Sequence, residues 1–408
     1  MSWLKLETIE KFLASHDYDV RKSHNARWID QKCTPDVTRL VAECILEYAA
    51  SNPEVPFISV DVWHNVYTKD LVESFFKKPN PAETLARNEY DKFFQQPMEM
   101  LANAGVLQKN KFGNSNFYEI TNREILDYIS LSDRNALNFI QLYISKVLKD
   151  SGLSPTFEQY FATQTPQAYY DLKDSFARFT ISNTPINGVT ECNRIFTKVL
   201  NPLAFNLDKR GTEKGRFSKD VITHDMLMYN RSNFRDEISG KPKGLTRRQH
   251  ESSLPFHSRY SPFDSARAKR AVRAHNNAFR QGKPEILNDG HSTDLAIHAH
   301  HIFPESQFPQ IAGHYENLIA LTPTQHMSYA HPNGHTQKID RSYQRICILA
   351  KIDTIRHSQY DPGVDNIYDF YSLAEVLATG LSNEKFLEIT DNDFDEVIAL
   401  VNKSYEPD

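Results

Sequence analysis

Asp294-Leu295-Ala296-Ile297-His298-Ala299-His300-His301-Ile302-Phe303-Pro304-Glu305-Ser306, continued by Glu316-Asn317-Leu318-Ile319-Ala320-Leu321-Thr322-Pro323-Thr324-Gln325-His326, is the stretch that decides the fold. An apolar segment runs into two adjacent histidines and stops at a proline turn. Asn317, sixteen residues after His301, opens a second apolar segment, and His326 stands nine residues further on, just inside a helix that Pro323 can start. The order is strand, loop, strand, helix. Neighbouring residues on a strand point to opposite faces, so His300 and His301 cannot do the same job. One can bind a metal while the other faces a water to be activated, and a helix returning across the hairpin can bring His326 to the same metal. Neutral imidazole serves both as a ligand and as a base matched to neutral pH. His298 shares the strand face of His300 and reads as a structural histidine. His331 and His335 stand beside Pro332 and Gly334, which end the helix, and read as structural or exposed.

These residues resemble the HNH, or ββα-metal, endonuclease family, which pairs a His or Asp with a following His, then a central Asn and a terminal His or Asn. The likeness extends to Ile302 and Pro304, to Ser306, and to Asn317-Leu318 nine residues before the last His. It implies His300 and His326 as metal ligands and His301 as general base. It also implies that Asn317 ties down the loop orienting His301. The implied reaction is one-metal hydrolysis of a DNA phosphodiester, leaving 5′-phosphate and 3′-hydroxyl ends. His300 stands where many members carry Asp, and Ala330 stands where colicin-type members place a further His, so a third protein ligand is not visible. One divalent metal per site is expected: Mg²⁺ by abundance, or Mn²⁺, Ni²⁺ or Zn²⁺, which suit imidazole better.

The rest of the chain narrows the setting. With 408 residues, two or three domains are expected. The apolar runs are too short for a transmembrane helix, and Met1 to Tyr18 lacks the apolar core of a secretory signal, so a cytoplasmic protein is expected. Cys33, Cys44, Cys192 and Cys347 form no CxxC pair, which argues against a zinc ribbon or a disulfide framework. The net charge of −5 hides an asymmetry: Lys209 to Lys283 holds 18 basic and 7 acidic residues, the remainder 29 basic and 45 acidic. A basic segment inside an acidic protein suggests a localised footprint for a polyanion.

Ahead of it, Thr34-Pro35 starts a helix with Val37, Leu40, Val41, Cys44, Ile45 and Tyr48 at helical spacing. A second helix is expected over residues 60 to 76. A third is expected after Pro81, turning at Pro97, and a Gly/Asn/Ser hairpin over residues 106 to 120. Three helices and a hairpin resemble a winged helix in element order. That resemblance implies DNA contacts from Arg87, Asn88 and Lys92 on the third helix, and from Lys109, Lys111 and Asn114 on the wing. Residues 130 to 200 read as helical, residues 205 to 285 as loops and short helices with Arg247 and Arg248 as DNA contacts, and residues 383 to 402 as an acidic amphipathic helix.

The expected fold is α+β, multi-domain and mainly helical. Its parts are a winged-helix-like module (residues 1 to 130), a helical connection (131 to 205), the basic segment with the ββα-metal nuclease unit (206 to 345) and a helical end (346 to 408). The expected function is a site-specific endonuclease of the restriction kind, acting on double-stranded DNA as a homodimer. Ala26 to Val37 is similar to N-terminal segments of restriction endonucleases. The alternatives are a nuclease dependent on methylated DNA and a DNA-binding regulator with an inactive HNH unit.

Overall fold

A computed structural model of the chain describes residues 4–53, 55–76, 87–113, 115–229, 262–287, 289–290, 292, 294–330, 339–361 and 363–406. The protein is mixed α and β, mostly helical, with short antiparallel strands. It divides into two compact units, Leu4–Ser252 and Ser253–Asp408. That division falls inside the stretch expected to form one domain over residues 206 to 345.

The first unit opens with α1 (Leu6–Ala14) and α2 (Val20–Ser23). Helix α3 (Pro35–Ser51) begins where Thr34-Pro35 places it and buries Val37, Leu40, Val41, Cys44 and Ile45. The single helix expected over residues 60 to 76 is instead α4 (Ser59–His64) and α5 (Val66–Phe76). Asn65 separates them: its backbone is extended and its side chain accepts from the Tyr67 N–H, a local bond that competes with helix. Helix α6 (Arg87–Asn103) runs through Pro97, where a turn was expected. Burial of Phe93, Phe94, Met98, Met100 and Leu101 along it outweighs the lost backbone donor.

Strands β1 (Leu107–Phe112) and β2 (Ser115–Ile120) then pair antiparallel, with Phe112 opposite Ser115 across a two-residue turn. Gly113 takes φ +59° there, a left-handed conformation that favours glycine. Phe57, between α3 and α4, makes an isolated bridge to Tyr118 on β2 through both backbone bonds, 3.0 and 2.7 Å.

Helices α7 (Arg123–Leu131), α8 (Asp133–Asp150), α9 (Ser154–Thr163), α10 (Pro166–Asn183) and α11 (Val189–Asn206) follow. The stretch expected as loops and short helices begins with a hairpin, β3 (Arg210–Glu213) and β4 (Arg216–Val221), before the short α12 (His224–Leu227). Its turn is Lys214-Gly215, with φ +50° and +77°. Two successive positive φ values suit the twist of a tight hairpin.

In the second unit the expected loops and short helices give way to one 18-residue helix, α13 (Pro262–Phe279), which buries Ala268, Ala271, Val272 and Ala274. It covers the hairpin β5 (His298–His301) and β6 (Leu318–Leu321), with Ala268 and Val272 against Leu318. All four residues of β6 are buried. The outer edge of β6 is closed by Glu285. Its N–H donates to the Ala320 carbonyl at 3.0 Å, and its carboxylate accepts from the Ala320 N–H at 2.8 Å. A buried strand edge needs such partners. The Glu285 carboxylate is held in turn by the buried Lys351 of α14 (Arg341–Tyr360), 2.8 and 2.9 Å away. Burial pulls the Lys351 ammonium below its usual pKa, against the pull of Glu285.

Helices α15 (Phe370–Gly380) and α16 (Phe394–Ser404) complete this unit. The single terminal helix expected over residues 383 to 402 is a 3₁₀ turn at Glu384–Glu388 followed by α16. Asp393 accepts from the Glu396 N–H and so caps α16 at that point. All four cysteines are buried thiols. Among the described residues, no helix is long and apolar enough to cross a membrane.

Candidate active site

The hairpin β5–β6 divides the histidines by face, as strand alternation requires. The register sets His300 opposite Ile319 and His301 opposite Leu318. Between the strands, residues 302 to 317 form a loop that Asn317 closes. The side chain of Asn317 is fully buried. Its Nδ2 donates to the carbonyls of Phe303 (3.1 Å) and Ile311 (3.2 Å), and its Oδ1 accepts from the Phe303 N–H (2.8 Å). The Ile302 N–H donates to the Asn317 carbonyl at 2.8 Å. One side chain therefore joins both ends of the loop and a point inside it.

That loop places the Ala312 carbonyl 3.0 Å from Nε2 of His301. A carbonyl can only accept, so Nε2 carries the proton, and the neutral ring keeps its lone pair on Nδ1. Burial, with the positive charge of Lys269 adding to it, lowers the His301 pKa below the usual histidine value, opposed by Ala312 and Glu305. Burial thus favours the neutral ring, and the contact with Ala312 leaves Nδ1 as its basic nitrogen. Around it stand Ser265, whose Oγ lies 3.4 Å from Nε2, and Glu305, whose Oε2 lies 3.8 Å from Nδ1.

The opposite face carries the other imidazoles. Thr322, Pro323 and Gln325 start the segment bearing His326. The Gln325 N–H donates to Thr322 Oγ1 (3.1 Å) and the Thr322 N–H to Gln325 Oε1 (3.0 Å), a reciprocal cap. Gln325 Nε2 also donates to the Ile286 carbonyl and Asp289, each at 2.9 Å. The helix expected there is wound as a π-helix, Gln325–Ala330, a form that recurs at functional sites.

The His326 ring sits 5.1 Å from that of His300, centroid to centroid, at 74°. Two imidazoles sharing one metal through nitrogens about 2.0–2.1 Å away would have centroids roughly 4.5–5.3 Å apart. The observed centroid spacing falls within that range. His298 stacks on His326 at 4.7 Å and 8°. Among the described residues, no group of three or more His, Cys, Asp or Glu side chains could hold a metal ion.

The residues expected to contact DNA lie in the first unit or outside the described residues. Lys92 and Lys111 are exposed, whereas Lys109 is engaged by Glu99 at 2.6 Å. Glu99 also accepts from the Tyr118 hydroxyl and Asn116. Arg87 lies at the start of α6, with Asn88 next to it. Asn114, Arg247, Arg248, His331 and His335 lie outside the described residues. Ser265, Lys269 and Glu305 were not singled out from the sequence. Ser265 and Lys269 are one helical turn apart on α13, a signal visible only once that stretch is recognised as a helix.

No known family model, curated protein or solved structure matches the chain.

Proposed function

We propose that the second unit is a metal-dependent DNA endonuclease of the ββα-metal kind, hydrolysing phosphodiester bonds with His301 as general base. The observation that carries this is the division of labour across β5. His301 is held neutral with its lone pair on Nδ1, while His300 and His326 approach each other on the other face at a spacing suited to one metal. His300 and His326 would hold the ion, with Mg²⁺ the first expectation and Mn²⁺, Ni²⁺ or Zn²⁺ the alternatives. When bound, a divalent ion supplies stabilisation of the charge developing on the phosphate and leaving oxygens.

The protein's own part is positional. Ala312 fixes the tautomer of His301, Asn317 fixes the loop that presents Ala312, and the Thr322–Gln325 cap fixes where His326 begins its turn. A proton leaving water would be taken at His301 Nδ1. The expected products carry 5′-phosphate and 3′-hydroxyl ends.

The first unit supports a targeting role. Helices α3 to α6, the hairpin β1–β2 and the Phe57 bridge follow the order of a winged helix, with Lys92 and Lys111 exposed. Together the two units favour a site-specific, restriction-type nuclease on double-stranded DNA. Supercoiled plasmid incubated with each of the four metals tests this. Wild-type protein should nick it, and His301→Ala should lose at least about 10²–10⁴-fold in rate, the range for a general base. Wild-type protein leaving plasmid intact with every metal would exclude the nuclease. Equal nicking by both proteins would exclude His301 as base. Comparing methylated with unmethylated plasmid separates the methylation-dependent alternative.

A further inference from the structure

Beside His301 an oxygen anion already occupies a defined position, and it is the protein's own. Glu305 Oε2 lies 3.0 Å from Ser265 Oγ, 3.8 Å from Lys269 Nζ and 3.8 Å from His301 Nδ1. Ser265 is buried, 3% exposed, while the side chains of Glu305 and Lys269 are 33% and 37% exposed. Ser265 and Lys269 project from one face of α13, whose neighbouring Ala268 and Val272 are packed on Leu318. Helix and strand therefore hold hydroxyl, ammonium and imidazole in one arrangement around that oxygen.

We propose that Ser265 and Lys269 form the seat for a non-bridging oxygen of the phosphodiester, and that Glu305 fills this seat until substrate displaces it. This rests on the nuclease reading of His301 and names the chain's own phosphate contact. At 3.8 Å the Lys269–Glu305 pair is Coulombic and not a hydrogen bond, so the ammonium keeps its donors for an incoming anion. A partly exposed ion pair contributes little to stability, so its exchange for a phosphate is inexpensive. A phosphodiester oxygen offers the same hydrogen-bond acceptor and charge as the carboxylate. Its phosphorus would then stand next to the base that takes the water proton. Glu305 also has a selective consequence: an anion that cannot outcompete a tethered carboxylate does not enter.

The test uses dimethyl phosphate, a diester without base or sequence, with full-length protein and ³¹P NMR line broadening to read weak affinity. Lys269→Ala is expected to weaken binding about tenfold, Lys269→Arg to retain most of it, and Glu305→Gln to tighten it several-fold. Ser265→Ala should weaken it less. Circular dichroism of each variant checks the fold, and the tightening by Glu305→Gln cannot come from misfolding. Unchanged affinity in Lys269→Ala would overturn the seat. So would a loss in Glu305→Gln equal to that in Lys269→Ala, since Glu305 would then be a support and not an occupant. Plasmid nicking separates the two claims. Protein that binds the diester as described but never nicks keeps the seat and loses the nuclease. Nicking with unchanged kcat/KM in Lys269→Ala does the reverse.

Discussion

The hairpins β1–β2 and β5–β6 pair their strands in the same antiparallel way and meet opposite surroundings. Along β1, Gln108, Lys109, Lys111 and Phe112 are exposed, and Phe112 at the tip is 76% exposed. Leu107 and Tyr118 supply its buried contacts. In β5–β6 the strands are two residues shorter, yet every residue of β6 and both adjacent histidines are buried. The front hairpin is closed by a two-residue turn and leaves most of β1 exposed. The rear one is joined by a sixteen-residue loop and held from outside by α13, Glu285 and Lys351. A hairpin that displays side chains to a large partner can be self-sufficient. One that must hold an imidazole to a fraction of an ångström needs its backbone fixed by neighbours.

That contrast is open to breakage, most severely at Lys351. Lys351→Met leaves the buried Glu285 carboxylate uncompensated at the edge of β6, and a loss of about 3–5 kcal/mol is expected in urea unfolding of the full chain. Adding Glu285→Gln should recover much of it. If Lys351→Met alone costs under 1 kcal/mol, the edge is not held as described.

Asn317→Ala comes next. It leaves the Phe303 and Ile311 carbonyls and the Phe303 N–H without their partner, for an expected loss of about 2–4 kcal/mol. Nicking should fall even at temperatures where the variant is folded, because Ala312 is no longer fixed against His301. Stability loss with full activity in the folded fraction would show that the loop positions nothing.

A smaller effect sharpens the picture through pH. Glu316, buried and accepting from the Asp369 N–H, has its pKa pushed up to about 7 by burial. Its folded-state pKa exceeds the unfolded value of 4.5, so the folded state holds the proton more tightly. This contribution is complete below pH 4.5 and is lost as pH rises toward 7, with a slope of at most about 1.4 kcal/mol per pH unit. Glu316→Gln should flatten stability over that window in a pH series of unfolding curves. An unchanged slope would place the titration elsewhere.

Least affected is the front hairpin. Lys111→Ala should change stability by less than about 0.5 kcal/mol while reducing the salt dependence of DNA binding by about one phosphate contact. An unchanged salt slope would remove Lys111 from the interface.

Much of both hairpins was legible because their signals are local. Gly113 marks a turn by its own backbone freedom, and Pro35 suits the first position of α3 by its fixed φ. The approach of His300 to His326 was expected from spacing and strand alternation, whereas the closure of the loop by Asn317 was implied only by the resemblance to the ββα-metal family. Where distant contacts decide, the sequence was silent or misleading. Pro97 signals a turn, but burial along α6 carries the helix through it. Residues 262 to 279 lie in a basic stretch that reads as loops and short helices until the small apolar face of Ala268 and Val272 is seen against Leu318.

By itself, then, the sequence determined which residues share a strand face and where Gly113 turns the first hairpin. Each of those depends on geometry between near neighbours. Tertiary structure alone decided which nitrogen of His301 carries its proton, because Ala312 is eleven residues away. It also decided that Glu285 and Lys351 close β6, and that Ser265 and Lys269 face Glu305. Such contacts depend on where folded backbones bring groups together across dozens of residues, and residue spacing does not encode that.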